Sequence, residues 1–341
     1  MRRIALICIY GLLHAAGVIG QDFTFSQFHE QPMLRNPALA GVFTGEFRMT
    51  AIHRTQWASV TIPYETSALG LEYKLPMSGQ KDFMTIGLQT VMDVAGDVRL
   101  KRSMIYPVLN YHKSLDESSN TYLSLAFMGG RVTTQFDPTK ATFDDQFVNG
   151  SFSPSNPTNQ IFSSTATGYW DLSTGMSLSS TLGQRGGNWY MGAAWFHVNR
   201  PRVQFLNQNE GYQVTDRWMA NIGISLPLQA HTRIQAYADF MRQGSQQQLF
   251  IGGMYQIAGA NWEDDPSWVF SVGSFYRWKD AIVPTVKIDL PSISFGVSYD
   301  VNISSLSVAS GYRGGLEITA QYRGFLSNQN KDLMKMRCVR F

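Results

Sequence analysis

The chain has 341 residues and a formal net charge of +3, with 16% charged and 13% aromatic residues. Soluble domains carry about 25% charged residues, so this chain has too few charges to cover a large water-exposed surface. The net charge is also too small to predict nucleic-acid binding, and no basic patch with interleaved aromatic residues accompanies it.

Residues 1–20 have the organisation of a secretory signal peptide. Arg2 and Arg3 precede the apolar run Ile4–Ile19, and cleavage is expected before Gln21. The run is short for a membrane-spanning helix and no positively charged stop follows it, which disfavours the alternative of an amino-terminal anchor. The sequence therefore predicts an exported protein that begins near Gln21.

Residues 21–46 form a segment that is irregular yet apolar. Pro32 and Pro37 interrupt it, so it cannot form a first strand. The side chains that need burial are Phe23, Phe25, Phe28, Met33, Leu34 and Leu39. We expect the segment to fold back into the periplasmic mouth of the barrel that the following residues predict. The alternative is a short periplasmic helix that ends at Pro37, and both interpretations keep the segment on the periplasmic side.

From Phe47 onward, apolar and polar residues alternate with a period of two, which gives a strand one apolar and one polar face. In a late segment, Ile293, Phe295, Val297 and Tyr299 alternate with serine and glycine. After residue 20, no window approaches the roughly 18 apolar residues that a membrane helix requires. If the chain enters a bilayer, it must therefore do so as strands.

Two architectures share this alternation: a soluble sandwich with its apolar face inside, and an outer-membrane barrel with its apolar face toward lipid. The barrel is favoured because the polar faces are rich in Gly, Ser, Gln and Asn, the strands are long, and aromatic residues cluster at strand ends. Those aromatic residues are Trp170, Trp189, Tyr190, Trp218, Trp268, Tyr276 and Trp278. The predicted fold is all-β, a transmembrane antiparallel β-barrel of about 14 strands.

The barrel is expected to occupy residues 47–324, followed by a periplasmic tail at 325–341. The predicted strands are Phe47–Arg54, Ser67–Tyr73, Phe83–Asp93, Arg99–His112, Thr121–Thr134, Trp170–Ser180, Trp189–Val198, Arg217–Leu226, Thr232–Arg242, Gln247–Ile257, Trp268–Trp278, Ala281–Ile288, Ser292–Asp300 and Leu316–Gly324. With a periplasmic amino terminus, connections after odd strands face outward. The longest, Gln135–Tyr169, Asn199–Asp216 and Val301–Gly315, all fall there, although those after strands three, nine and eleven are short.

Ordered motifs stand at both ends of this predicted barrel. The first set is Phe25-Ser26-Gln27, Pro32, Asn36, Pro37, Ala38, Ala40, Gly41, Arg48, Arg54, Gln56, Trp57 and Pro63-Tyr64. The second set is Tyr276-Arg277-Trp278-Lys279-Asp280-Ala281, Gly296, Ser298, Tyr299, Asp300, Val301, Asn302, Gly314, Gly315 and Glu317. In this order the motifs resemble the PorP/SprF family, outer-membrane proteins associated with the type IX secretion system. The resemblance spans essentially the whole mature chain.

The motif residues at strand ends are expected to anchor loops. Gln56 and Trp57, with Arg54, lie at the outer end of the first predicted strand, where they could stabilise the first outer loop or contact a partner. Tyr299–Asn302 caps a late strand and starts the last outer loop. We favour anchoring over ligand contact for both groups.

Four charged residues are expected to project into the lumen, where opposite charges could pair. They are Arg48, Arg54, Arg233 and Asp239. A structural network that fills the barrel is the favoured interpretation, and a selectivity filter is the alternative.

The sequence predicts no enzyme activity. Its six histidines are isolated in sequence, and it contains neither a His-Glu-x-x-His metal motif nor a Gly-x-Ser-x-Gly nucleophile elbow. Glu263-Asp264-Asp265 lacks the spaced ligands and the glycine of a calcium loop. No catalytic residue, metal ligand or cofactor site is therefore assigned.

The family resemblance implies a non-enzymatic role in the outer membrane of a Gram-negative bacterium. The barrel would support secretion or surface anchoring of a large adhesin-like substrate and would link to peptidoglycan-linked periplasmic partners of the secretion machinery. Its other partner would be outer-membrane lipid. The alternative is a porin or a carrier for small or apolar ligands.

Overall fold

The computed structural model describes residues 22–325 except for gaps at 58–61, 78–80, 154, 161–163, 184–185, 205–210, 263–265, 305–306, 308–310 and 312. In this part of the chain, fourteen long strands form one closed sheet. They are β1 Phe47–Gln56, β2 Tyr64–Pro76, β3 Phe83–Ala95, β4 Leu100–Asp116, β5 Thr121–Gln135, β6 Ala166–Leu182, β7 Gly187–Phe196, β8 Arg217–Gln229, β9 Thr232–Gln243, β10 Gln246–Ala258, β11 Val269–Arg277, β12 Ala281–Asp289, β13 Ile293–Asn302 and β14 Arg313–Gly324. The predicted signal peptide and residues 326–341 of the predicted tail lie outside the described residues.

Every strand pairs antiparallel with its chain neighbours, and β1 pairs with β14 to close the barrel. The closing register runs from Phe47 opposite Gly324 to Gln56 opposite Gly315. Closure leaves the sheet without free edges, so the wall can satisfy its own backbone hydrogen bonds in lipid. The predicted all-β barrel of about 14 strands is confirmed. Most strands extend beyond the predicted bounds because ladder pairing continues where the apolar alternation stops.

The alternation places polar side chains in the lumen and apolar ones on the outer face. Along β9, Ile234 and Phe240 are exposed on the outside, whereas Arg233, Gln235 and Asp239 are buried inside. This arrangement inverts that of a soluble sheet and matches a wall that faces lipid. Among the described helices, none is long and apolar enough to cross a membrane.

Exposed aromatic residues lie near the strand ends, as predicted for interfacial belts. Trp170, Trp218, Trp268 and Trp278 are exposed on the outer face. Trp218 stacks on a neighbouring tryptophan across the β7–β8 pair, with ring centroids 4.8 Å apart. Tyr190 corrects the prediction: it is buried in the lumen because it takes the inward position of β7.

The two ends of the barrel differ in their connections. We call the end where odd-numbered strands finish the loop end, and the opposite end the turn end. The longest connections, 136–165 and 197–216, lie at the loop end, and each contains a short hairpin. The first hairpin pairs Phe147–Val148 with Ser151–Phe152, and the second pairs Arg202–Gln204 with Gly211–Gln213. The connections after β3, β9 and β11 also lie at the loop end but are short, as the sequence predicted.

Candidate functional site

Residues Asp22–Glu46, which we call the strap, lie within the barrel. The strap contains 3-10 turns at Phe28–Glu30 and Pro37–Leu39 and one α-helical turn at Pro32–Arg35. Eight strands give a barrel that side chains alone can fill, whereas fourteen strands enclose a wider lumen that holds either water or additional material. The strap supplies that material and thereby buries its own apolar residues.

The strap runs along the lumen rather than staying at one mouth. Asp22 meets residues at the loop end, whereas the Glu46 backbone N–H donates to Gly324 O (2.9 Å) at the turn end. We expected this segment at the periplasmic mouth, which is the turn end in our orientation, or in a helix that ends at Pro37. The expected fold into the barrel agrees with this position in the lumen, but the segment also continues to the loop end, because the polar wall offers partners along the whole lumen. The alternative of a helix that ends at Pro37 is wrong, because the helix is the single turn Pro32–Arg35.

A charged cluster, which we call the latch, holds the strap at the loop end. The Asp22 carboxylate lies 2.6 Å from His197 Nε2, 3.2 Å from Arg217 and 3.3 Å from Arg102. On its other side, His197 Nδ1 lies 2.9 Å from Asp171. Burial alone would lower the pKa of His197, but the two carboxylates outweigh burial and raise the pKa to about 9. The pKa of Asp22 is held well below its usual value, because these cations outweigh the effect of burial.

Glu317 on β14 binds the backbone of the strap a few residues after Asp22. Its carboxylate accepts hydrogen bonds from the backbone N–H groups of Ser26 (2.6 Å) and Gln27 (2.7 Å). Arg54 on β1 lies 3.2 Å from Glu317 and also donates to Asp300 (2.8 Å). The motif residues Arg54 and Asp300, distant in sequence, thus meet in one buried network around the strap.

Two further ion pairs involve inward-facing wall residues. Arg35 of the strap forms a two-pronged pair with Asp239 on β9, with Nε 2.7 Å from Oδ2. Arg48 on β1 pairs in the same way with Glu72 on β2 at 2.8 Å. The Glu72 carboxylate also accepts the backbone N–H of Gly41 at 2.8 Å, so this pair reaches the strap as well.

The Asn36-Pro37-Ala38 motif forms a turn that is hydrogen-bonded to the wall. Asn36 Oδ1 accepts the Ala38 N–H at 2.9 Å, while its Nδ2 donates to Met176 O (3.0 Å) and Ala193 O (3.3 Å). Pro37 begins the following 3-10 turn, where its missing N–H loses no bond. An asparagine at this position therefore joins the strap to β6 and β7.

Gly41 allows the strap to approach β3 and β4 closely. Its φ is +86°, and a Cβ at this position would lie 2.1 Å from Thr85 Oγ1 and 2.8 Å from His112 Nε2. Both the backbone conformation and the available space therefore require glycine here.

The remaining motif residues near β1 lie at the loop end. Gln56 ends β1, and Trp57 has φ 55° with its N–H donating to Gly314 O at 3.0 Å. The Trp57 ring packs on Tyr64, with centroids 5.0 Å apart. These contacts hold the start of the first loop against Gly314 and Tyr64.

The motif at the end of β13 divides between the two faces of the wall. Ser298, Asp300 and Asn302 are buried inside, whereas Tyr299 is exposed outside. Asn302 Nδ2 donates to Arg313 O at 3.2 Å across the last loop. Asp280 accepts the backbone N–H of Ile303 through its own carbonyl oxygen at 2.8 Å, which holds the start of the same loop.

Sequence reasoning placed Arg48, Arg54, Arg233 and Asp239 in the lumen, and all four are buried there. It missed Arg35 and Glu72 as partners. It named Arg277 and Glu317 only as motif residues, and did not predict that Arg277 donates to Asp300 (2.9 Å) or that Glu317 binds the strap. A signal was available for the wall residues, since each is a charge on the polar face of an alternating strand. No such signal existed for Arg35, because the strap has no periodicity that would orient its side chains.

These features define a class of protein: an integral membrane β-barrel whose lumen is occupied by its own amino-terminal segment. The family model described as type IX secretion system membrane protein PorP/SprF matches residues 18–322. The chain belongs to this family, and it is an outer-membrane component of type IX secretion.

Several solved barrels are similar in fold. The toluene transporter TbuX of Ralstonia pickettii is 10% identical, with a TM-score of 0.47 over 89% of this chain and 96% of that one. The CymD monoaromatic hydrocarbon channel is 13% identical, with a TM-score of 0.44 over 89% and 93%. The translocator domain of the autotransporter NalP from Neisseria meningitidis is 12% identical, with a TM-score of 0.42 over 87% and 96%. No curated relative matches the chain. Likenesses this distant do not identify what this barrel binds or transports.

Proposed function

We propose that the protein is a non-enzymatic scaffold of type IX secretion that supports export or surface anchoring of a large adhesin-like protein. The observation that carries this proposal is the strap, which occupies the lumen and is fixed by buried ion pairs at Asp22 and Arg35 and by a hydrogen bond from Gly41 to Glu72. A lumen filled in this way does not offer a folded protein a passage. Partners would instead meet the two ends of a rigid barrel.

The loop end is the proposed contact for the exported protein. Its longest connection, 136–165, is built by internal hydrogen bonds, such as those from Thr158 and Asn159 to the Asp145 carboxylate. The short hairpin in this connection exposes Phe147 and Phe152. Loops held on a rigid scaffold commonly serve recognition, because they can vary without disturbing the fold.

The turn end and the tail are the proposed contacts for periplasmic machinery and peptidoglycan-linked proteins. β14 ends at Gly324 on that side, and residues 325–341 carry Lys331, Lys335, Arg337 and Arg340. These basic side chains are poorly suited to a lipid-facing position, which supports a contact with partners in the envelope.

Two deletions in the native host test the two halves of this proposal. Phe136 N–H donates to Thr165 O at 3.1 Å, so residues 138–163 can be replaced by a short Gly-Ser linker without separating β5 from β6. The loop deletion should reduce the surface amount of the exported protein, and truncation after Phe325 should reduce co-purification of periplasmic partners. Each variant must show normal barrel levels in the outer membrane.

Full surface display after the loop deletion would contradict the proposed contact between the loop end and the exported protein. Unchanged co-purification of periplasmic partners after truncation would contradict the proposed contact at the turn end and the tail. A matched control replaces 138–163 with an unrelated Gly-Ser-rich loop of equal length, which separates the loss of specific contacts from the loss of bulk.

A further inference from the structure

A cavity of about 60 Å³ lies between the strap and the wall, beside the latch. Four methionines line it from the wall, Met104 on β4, Met128 on β5, Met219 on β8 and Met241 on β9. Methionine side chains are unbranched and flexible, so a cavity lined by four of them can adapt its shape to an occupant.

Gln31 of the strap is a buried polar side chain in this apolar lining. It is 1% exposed, and neither its Nε2 nor its Oε1 has a hydrogen-bond partner among the described residues. The neighbouring strap glutamine, Gln27, is equally buried but fully bonded: it donates to Glu317 O (3.2 Å) and accepts from Thr319 Oγ1 (3.1 Å). Buried amides ordinarily have partners, so Gln31 points to a molecule that supplies a donor and an acceptor.

The surroundings favour an amphipathic occupant over water alone. A buried water needs two to four polar partners, which the Gln31 amide and its polar neighbours can supply, but the four methionines offer none and suit an apolar group instead. Apart from the Gln31 amide, the one other buried and unbonded side-chain nitrogen among the described lining residues is Arg217 Nε. The nearby charges already pair with one another, since His197 lies between Asp22 and Asp171. An ionised ligand would therefore gain no free counter-charge here.

We propose that this cavity binds a small, neutral, amphipathic molecule. Its head group exchanges hydrogen bonds with both ends of the Gln31 amide, and its apolar body packs among the four methionines. The site is independent of the proposed role in secretion, because it is enclosed between the strap and the wall and uses neither the loop tips nor the tail.

The cavity volume limits the size of the occupant. Benzene fits a cavity of about 150 Å³, so a space of about 60 Å³ holds only a head group and a few carbon atoms unless the methionines move. Each buried methylene adds about fourfold in affinity, so a short chain should bind more tightly than none. Affinity should stop rising with the length of the alkyl chain once the methionine side chains can no longer move to enlarge the cavity.

Methyl NMR on the full mature chain in lipid nanodiscs tests the site. Methionine methyl groups are labelled with ¹³C, assigned by single Met→Leu variants and titrated with acetamide, butanamide and hexanamide. We expect saturable shifts confined mainly to Met104, Met128, Met219 and Met241, with butanamide binding about tenfold more tightly than acetamide. Shifts that do not saturate, or that spread equally to methionines outside the cavity, would show partition into lipid and overturn the proposal.

Two comparisons test the role of the amide. Gln31→Leu should weaken butanamide binding at least about tenfold, whereas Gln27→Leu removes an equally buried strap amide outside the cavity and should leave it unchanged. Because either variant could unfold, N,N-dimethylbutanamide, which lacks the N–H donor, should also bind the unmodified chain more weakly than butanamide. Equal binding of the two ligands, or unchanged binding by a folded Gln31→Leu variant, would mean that the Gln31 amide makes no hydrogen bond to the ligand, and would overturn the proposal.

Discussion

At the scale of single residues, buried ion pairs fix the strap to the wall. Asp239 is completely buried and Arg35 is 4% exposed, and the guanidinium also lies 5.0 Å from the ring of Phe28. A buried pair is not necessarily stabilising compared with apolar residues, but removing one partner leaves the other charge uncompensated. The position of the strap therefore depends on each member of the pair.

Replacing Asp239 by Asn should lower the free energy of unfolding by about 3 kcal/mol, because Arg35 then stays buried without a counter-charge. Urea unfolding in lipid vesicles, followed by tryptophan fluorescence, measures the change. The matched control is Lys81→Gln, since Lys81 and Glu117 form a pair whose side chains are 51% and 66% exposed. That variant should change the free energy by less than about 1 kcal/mol. Equal effects of the two variants would contradict the anchoring role of Arg35.

The latch should make the stability of the protein depend on pH. His197 has a pKa of about 9 in the folded protein, above its ordinary value, because of Asp22 and Asp171. A raised folded-state pKa means that the stabilisation is complete below about pH 6.5 and disappears as the pH rises through about 9. The amount involved is on the order of 3 kcal/mol.

Unfolding measured between pH 6 and pH 9.5 should therefore show a loss of stability that is largely absent in His197→Gln. His197→Gln is the control for the unmodified protein, because it keeps all the other groups that titrate in this pH range. A parallel decline in both proteins would show that His197 does not hold the strap.

At the scale of the element, the strap is a segment of short helical turns and irregular backbone that the wall positions at discrete points. Gly41 is the point where the backbone itself, rather than a side chain, sets the fit against Thr85 and His112. A side chain at this position conflicts with the wall and with the backbone conformation at once.

Gly41→Ala should destabilise the docked strap by more than about 2 kcal/mol, combining positive-φ strain with overlap against β3. Gly150→Ala is the control: its φ is +80°, but nothing lies within 4 Å of the added Cβ, so only the strain remains. Limited trypsin cleavage after Arg35 reports whether the strap leaves the lumen. Equal cleavage in the two variants would mean that contact with the wall is unimportant at Gly41.

At the scale of the whole molecule, the cavity at the turn end is larger than the one beside the latch. A cavity of about 730 Å³ opens at the turn end, where Arg233, Lys287 and Arg323 are among its lining residues. Toward the loop end, the strap and the latch leave a space of about 60 Å³. An ion that enters from the turn end would therefore meet the strap before it could cross.

The intact protein should conduct little current in a planar bilayer, and deletion of residues 22–40 should raise conductance at least about tenfold if the barrel still closes, because fourteen strands without a plug leave an aqueous lumen. Single-channel recording measures the change. Arg35→Met with Asp239→Leu removes one anchor but retains the strap, so it should give brief openings between closed periods. A large, steady conductance from the intact chain would favour the porin alternative.

The sequence by itself determined the wall of this protein. An alternation with a period of two fixes which face of each strand is apolar, and in β9 and β13 this local pattern suffices to predict both the strand and the direction of its side chains. The inward position of Asp239 follows from the same rule. Ordered motifs such as Asn36-Pro37-Ala38 likewise identified the family, because their order is a property of the sequence alone.

Only the tertiary structure decided the contents of the lumen. The strap has no period that would orient its side chains, so the path of Asp22 to the loop end and the pairing of Arg35 with Asp239 could not be read from the chain. The partners are 204 residues apart, and barrel closure brings them together. The same holds for Gln31: its burial, and its lack of a hydrogen-bond partner among the described residues, depend on where the wall places every other polar group.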